Sequence, residues 1–169
     1  IHDPIALAYA LHQLIPYLSE PTQGQVFLEA LAAVRSIEYD PSRSDALIRL
    51  APYLPEKLQG KALGIAREIR SVSAREEALR GLAASLPETI KNDVLKEAFA
   101  VTRTIHDEAA CAYALGELAL HLPEPLKGEV VHTALTAVHG IQDDFDRHMA
   151  LSELAPQLPS DLISDAFRI

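Results

Sequence analysis

In the first eighteen residues the apolar side chains Leu7, Ala10, Leu11, Leu14, Ile15 and Leu18 recur at helical spacing and cover one broad stripe. The stripe then returns along the chain. Ala10, Ala46, Ala78, Ala114 and Ala150 form one column. Leu11, Leu47, Leu79, Leu115 and Leu151 form the next, and Leu14, Leu50, Leu82, Leu118 and Leu154 the one three places on. The steps between copies are 36, 32, 36 and 36 residues. Segments 1–20 and 105–124 match over their length, IHDPIALAYALHQLIPYLSE against IHDEAACAYALGELALHLPE. Registers that stay in phase mark an internal repeat, which decides the architecture before any other feature.

Punctuation divides each unit into two predicted helices. A Leu-Pro step closes the first at Leu54-Pro55, Leu86-Pro87, Leu122-Pro123 and Leu158-Pro159, with Leu18-Ser19 as a degenerate copy. The residue before proline disfavours the α region, and the proline suits the start of the next helix. A second phrase, Arg35-Ser36-Ile37, Arg70-Ser71-Val72, Arg103-Thr104-Ile105 and His139-Gly140-Ile141, follows 18 or 19 residues later. On that alignment the short unit lacks three residues before its Ala-rich helix and one before Val72. First helices are predicted at 3–18, 43–54, 74–86, 107–122 and 144–158. Second helices are predicted at 20–36, 56–71, 88–104 and 124–140, with a stub from 160. Asp3-Pro4 and Asp40-Pro41 fit an N-cap followed by proline at the first helical position, and Asp107 fits a cap. Pro16, Pro52 and Pro156 should kink or shorten the first helices.

The expected fold is all-α: an α-solenoid of about 4.5 antiparallel helix-pair repeats with a period of about 36 residues. It forms a single helical-repeat domain over 1–169, with units near 1–36, 37–71, 72–104, 105–140 and 141–169. A single globular bundle is the alternative. The Ala column is expected at close helix crossings, with Ala112 on a face more tolerant of larger polar side chains than Ala114. The chain opens within a junction phrase and stops part-way through a second helix, and its first unit is as apolar as the others. Terminal repeats normally carry a polar cap, so the expectation is a fragment of a longer array. The alternative is a complete array that hides its ends by self-association.

Composition narrows the function classes. Aromatics are 5% with no Trp, so the core must be built mainly from Ala, Leu, Ile and Val. The net charge of −9 argues against a nucleic-acid surface, which needs clustered Lys and Arg. The charge is uneven: residues 1–54 carry −3, residues 55–104 carry +2 and residues 105–169 carry −8. The acidic last part could steer a basic partner. No apolar run is long enough to span a membrane. The one cysteine, Cys111, excludes an internal disulfide framework and a thiolate zinc cage. A cytoplasmic location is expected.

The motif LPE-P/K-L…EA-L…A…R-x-I-x-D…ALxxLAPxLP resembles the Leu-Pro helical repeats at the C-terminal ends of bacterial multidomain proteins. Those proteins often begin with a nucleotide-switch domain of the NACHT or NB-ARC type, or with a caspase-like protease. The resemblance covers essentially the whole chain and implies a sensing or protein-binding array attached to an effector absent from it. Tetratricopeptide repeats lie near this period, but their Trp and Gly-Tyr positions are missing here. A HEAT-like helix pair fits the proline near the end of the first helix.

Candidate chemistry is sparse. His2-Asp3 and His106-Asp107 invite comparison with the metal-binding pair of all-helical phosphohydrolases, yet they share one repeat position and helix capping explains the Asp. Asp143, Asp144 and Asp146 fail as a calcium loop, since counting from Asp144 puts Met149 and Ala155 where Gly and Glu are needed. His132 and His139 are too far apart for one metal ion. Cys111 falls in the column of Leu7 and is expected to be a small buried hydrophobe. There is no GxxxxGK[ST] and no GxGxxG. No cofactor and no enzyme activity are expected.

That leaves recognition. Positions opposite the apolar stripe of each first helix form a ladder: Tyr9, Gln13, Tyr17; Asp45, Arg49, Tyr53; Glu77, Gly81, Ser85; Tyr113, Glu117, His121; Met149, Glu153, Gln157. Tyr and Arg suit binding because they give large contact area with a polar handle. Tyr9, Tyr17, Arg49, Tyr53, Tyr113 and His121 are the candidate contacts for a protein or peptide, with a basic partner suited to the acidic last part. An alternative is that Tyr17 and Tyr53 merely cover the junction between units. The competing surface is a second-helix face with Lys96, His132 and Thr133. A non-enzymatic interaction module ranks first, a structural spacer or self-assembly element second, and an all-α metal-dependent hydrolase last.

Overall fold

Proline sets how three of the first helices end. In the computed structural model, which describes residues 3–159 and residue 162, α1 runs Pro4–Leu14, α3 Asp40–Leu50 and α9 Asp144–Leu154. Each passes into a single 3-10 turn, Ile15–Tyr17, Ala51–Tyr53 and Ala155–Gln157, with Pro16, Pro52 or Pro156 in second place. Proline has no N–H to continue the α ladder, so the last turn tightens to 3-10. The remaining helices are α2 Glu20–Ser36, α4 Glu56–Arg67, α5 Val72–Ala83, α6 Glu88–Thr102, α7 Glu108–Ala119 and α8 Leu126–Gly140. Of these, α5 and α7 lack this proline and end only one residue further along. Among the described residues every regular element is helical and no helix is long and apolar enough to cross a membrane. The expected stub from 160 lies outside the described residues apart from Leu162.

The caps are mostly where the sequence puts them. Asp3 accepts from the N–H of Ile5 at 2.9 Å, and Asp107 from that of Ala110 at 2.7 Å. Asp143 accepts from Phe145 and Asp146 at 2.9 and 3.0 Å. Asp40 departs from the pattern. Tyr39 is the N-cap of α3 and Asp40 its first helical residue. Its carboxylate accepts instead from the N–H groups of Arg70 and Ser71, at 3.0 and 2.8 Å. Those amides stand just ahead of α5, where no helical partner is available to them, so a carboxylate from α3 satisfies them.

The junction isoleucines correct the sequence alignment. The N–H groups of Ile37, Ile69, Ile105 and Ile141 each donate to the carbonyl three residues back, at 3.1, 3.2, 2.9 and 3.1 Å. Ile37, Ile69 and Ile141 are buried, whereas Val72 is only half-buried and begins α5. Ile69 therefore takes the place assigned to Val72. The missing residues are one turn of α4, which has 12 residues where α2 has 17 and α8 has 15. Arg43 and Arg147 wrap back onto these junctions. Arg43 donates from Nε and Nη2 to the carbonyl of Ile37. Arg147 does the same to Ile141 at 3.1 and 2.7 Å.

The chain divides into two compact units, Ile1–Val94 and Leu95–Ile169, with the boundary inside α6. In the first, α1 packs on α2 and α3, and α3 packs also on α2, α4 and α5. In the second, α7 packs on α8 and α9, which also touch each other. Ala46, Ala78 and Ala114 are buried in these contacts, as are Leu47, Leu79 and Leu115. Ala10, Leu11, Ala150 and Leu151 are half-buried.

Three expectations about burial change. Leu14 is 51% exposed although Leu50, Leu82, Leu118 and Leu154 of its column are buried. Leu14 thus stands at the surface where α1 passes into its 3-10 turn, beside the buried Ile15. Ala112, expected to face outward, is 4% exposed and clusters with Val138 and Ile141. α7 is held by α8 and α9, and that widens its apolar arc. Cys111 is only half-buried, its thiol 3.6 Å from the carbonyl of Thr102. Burial, then the charge of Glu108, pushes that thiol above its ordinary pKa, away from a reactive thiolate.

Two predictions follow from this packing. Ala112→Leu should destabilise the protein by about 1–3 kcal/mol, as Ala114→Leu should, through overpacking of a closed site; denaturant melts showing free tolerance at 112 would contradict the burial. The glycines should split. A Cβ on Gly60 of α4 meets nothing within 4 Å, so Gly60→Ala should gain about 0.5–1 kcal/mol of helix propensity. A Cβ on Gly81 of α5 would lie 2.5 Å from Cγ1 of Ile48, so Gly81→Ala should lower the melting temperature.

Candidate functional site

The first-helix ladder is partly assembled within the first unit. α1 carries Tyr9, α3 carries Asp45 and Arg49, and the following 3-10 turns carry Tyr17 and Tyr53. The Tyr9 hydroxyl donates to Oδ2 of Asp45 at 2.6 Å, and Nε of Arg49 donates to the same oxygen at 2.8 Å. The Arg49 guanidinium carbon stands 5.4 Å from the centre of the Tyr9 ring, within cation–π range. The hydrogen bond to Asp45 raises the pKa of the Tyr9 phenol, and burial and the carboxylate charge add to it. Burial pushes the Asp45 carboxyl up, but hydrogen bonds from Arg49 and Tyr9 outweigh it and hold it below the ordinary range.

This triad spends two candidate contacts on joining α1 to α3. Tyr9 is half-buried, and the outer rim of Arg49 stays open. Tyr53 lies edge-on to His12 at 5.5 Å and is half in solvent. Tyr17 projects furthest, 87% exposed. Glu77 and Gly81 are engaged with neighbours: Ser44 donates to Glu77 at 3.1 Å, and Gly81 abuts Ile48.

In the second unit, Tyr113 and Met149 are exposed on α7 and α9, and His121 is exposed just beyond α7. Gln157 donates to the carbonyl of Gly116 at 2.8 Å, so it serves the structure. Of the competing face, Lys96 and His132 are exposed, and the Thr133 hydroxyl donates back to the carbonyl of Glu129.

The metal readings find no support in the geometry. His2 lies outside the described residues, and Asp3 and Asp107 are occupied as caps. Asp144 pairs with Arg147 at 2.9 Å. Nδ1 of His139 is 2.7 Å from the carbonyl of Leu135. Among the described residues no three His, Cys, Asp or Glu side chains are placed to hold an ion.

A feature the ladder did not anticipate lies on the second helices. Between α2 and α4 runs a groove of about 390 Å³ floored by Leu28, Leu31, Gly64 and Ile65. Arg35 closes one end by a two-pronged pair with Glu68, at 2.7 and 2.9 Å. Beyond that pair, Arg70, Arg43 and Asp40 help line a polar depression of about 760 Å³. The signal available in the sequence was Gly60 and Gly64, two glycines inside a predicted helix.

No family model matches the chain, and no curated protein or solved structure is detectably similar to it.

The triad gives a pH test. A carboxyl whose folded pKa is depressed stabilises the fold above its ordinary value, 3.8 here, and loses that contribution as the pH falls through the folded pKa. Asp45→Asn should therefore lower stability at neutral pH, with the difference from wild type vanishing in acid. It should also bring Tyr9 ionisation to lower pH in an absorbance titration.

Proposed function

We propose that this chain is a non-enzymatic helical-repeat module that binds a protein or peptide through the α1–α3 face. Its finer architecture is an α-solenoid of helix pairs with a period of about 36 residues, which offers extended surfaces rather than an enclosed pocket. The observation that carries the reading is the Tyr9–Asp45–Arg49 triad beside two outward rings. It ties α1 to α3, while His12 of α1 stacks edge-on against Tyr53 and Tyr17 stands exposed beyond the end of α1. Tyr side chains of this kind offer large contact area with a polar handle. The −3 charge over residues 1–54, which hold this face, favours a basic partner. The resemblance to repeats carried by NACHT, NB-ARC or caspase-like proteins supports a sensing arm joined to an effector. A cytoplasmic setting belongs to the same proposal, and the free thiol of Cys111 agrees with it.

Tyr17 and Tyr53 are the informative positions, because Tyr9 and Arg49 also join the helices. Tyr17→Ala and Tyr53→Ala should each weaken a partner recovered on immobilised chain by about 1–2 kcal/mol, with the melting temperature little changed. Unchanged affinity would remove this face as the site. A wild-type chain that retains no partner and self-associates would favour the spacer reading.

A further inference from the structure

We infer that the groove between α2 and α4 is a second docking site, for an acidic peptide that inserts one large apolar side chain. It lies on second helices and goes beyond the α1–α3 face. Leu28 is 44% exposed on the groove floor, beside Leu31 and Ile65, so apolar surface is left open there. About 390 Å³ holds one or two large side chains, which points to a short anchor and not to a whole helix.

Gly64 is the second observation. It lies inside α4, where glycine is a poor helix former. A Cβ there would meet nothing within 4 Å, so packing within the chain does not require the glycine. The volume a side chain would fill is the groove itself. Gly60, one turn earlier, is equally open. The bare position at Gly64 lets a ligand in the groove approach the helix backbone closely.

Charge selects the occupant. Lys57 and Lys61 lie on the exposed side of α4, and among the described residues no carboxylate comes within ion-pair reach of either. Arg35, at the groove end, holds Glu68, and Arg70 opens onto the depression beyond. Within α4 itself Lys57, Lys61 and Arg67 outnumber Glu56. Carboxylates flanking the apolar anchor would meet Lys61 on the groove wall, and acidic peptides would be steered there in preference to basic ones.

The test is selection of displayed peptides of about twelve residues on the full chain, followed by affinity measurement on the synthetic winners. Enriched sequences should combine Leu, Phe or Trp with flanking Asp or Glu, and their binding should weaken with added salt. Gly64→Leu should weaken them by about tenfold or more while leaving the melting temperature unchanged or higher, because it fills open space. Lys61→Glu should weaken them comparably, and Tyr17→Ala should not, which separates this groove from the α1–α3 face. Winners that are basic or uncharged, winners indifferent to Gly64→Leu, or no enrichment at all would overturn the proposal. So would a dimer of the chain that Gly64→Leu dissolves, since the occupant would then be a second copy.

Discussion

Helices of 11–17 residues are marginal in water, and here each is held by laying an alanine- and leucine-lined arc on its neighbours. With few aromatics, that arc gains its energy from close approach. Ala30, Ala62, Ala66, Ala78, Ala83 and Ala98 are all fully buried, so helix axes come near enough for main chain to meet small side chain. Everything else depends on this closeness. Gly81 has no room for a methyl group beside Ile48, and Ala112 is enclosed although its neighbours in sequence alternate with solvent. Close axes also bring helix ends together, and the polar groups there must find partners across the contact.

The polar contacts divide by exposure. Arg35–Glu68 and Arg49–Asp45 lie in solvent and contribute little stability. Their effect is positional: one ends a groove, and the other holds on α3 the carboxylate that accepts from Tyr9 of α1. Arg80–Glu76 is different, with the Glu76 side chain almost wholly enclosed on α5. That pair constrains the core rather than the surface, because a carboxylate so enclosed must keep its charge compensated. Asp40 belongs with that group, since it replaces water at two main-chain amides.

Much of the helix layout was legible because proline, capping residues and helical periodicity act locally. The stops before Pro16, Pro52 and Pro156 and the caps at Asp3, Asp107 and Asp143 need only a few neighbouring residues. What was not legible depends on another helix. Asp40 looks like a cap from its own sequence, and only the amides ahead of α5 explain its actual partner. Ile69 was passed over for Val72 because the Arg-Ser phrase matched better than the hydrophobic position behind it. The exposure of Leu14 and the burial of Ala112 do not show in either helix's own stripe, because both depend on which face the other helices cover. The α2–α4 groove escaped for a similar reason, since its walls come from two helices whose apolar stripes are individually ordinary.

The brevity of α4 has a geometric consequence. Four residues fewer shorten a helix by about 6 Å but turn its far end by only about 40°. The inward arc therefore survives, and Ile69 reaches the same kind of turn as Ile37 and Ile141. Removing two residues would instead rotate the end by about 200° and point the isoleucine into water. Losing a whole turn from such a helix therefore keeps inside and outside in place, whereas losing half a turn would exchange them.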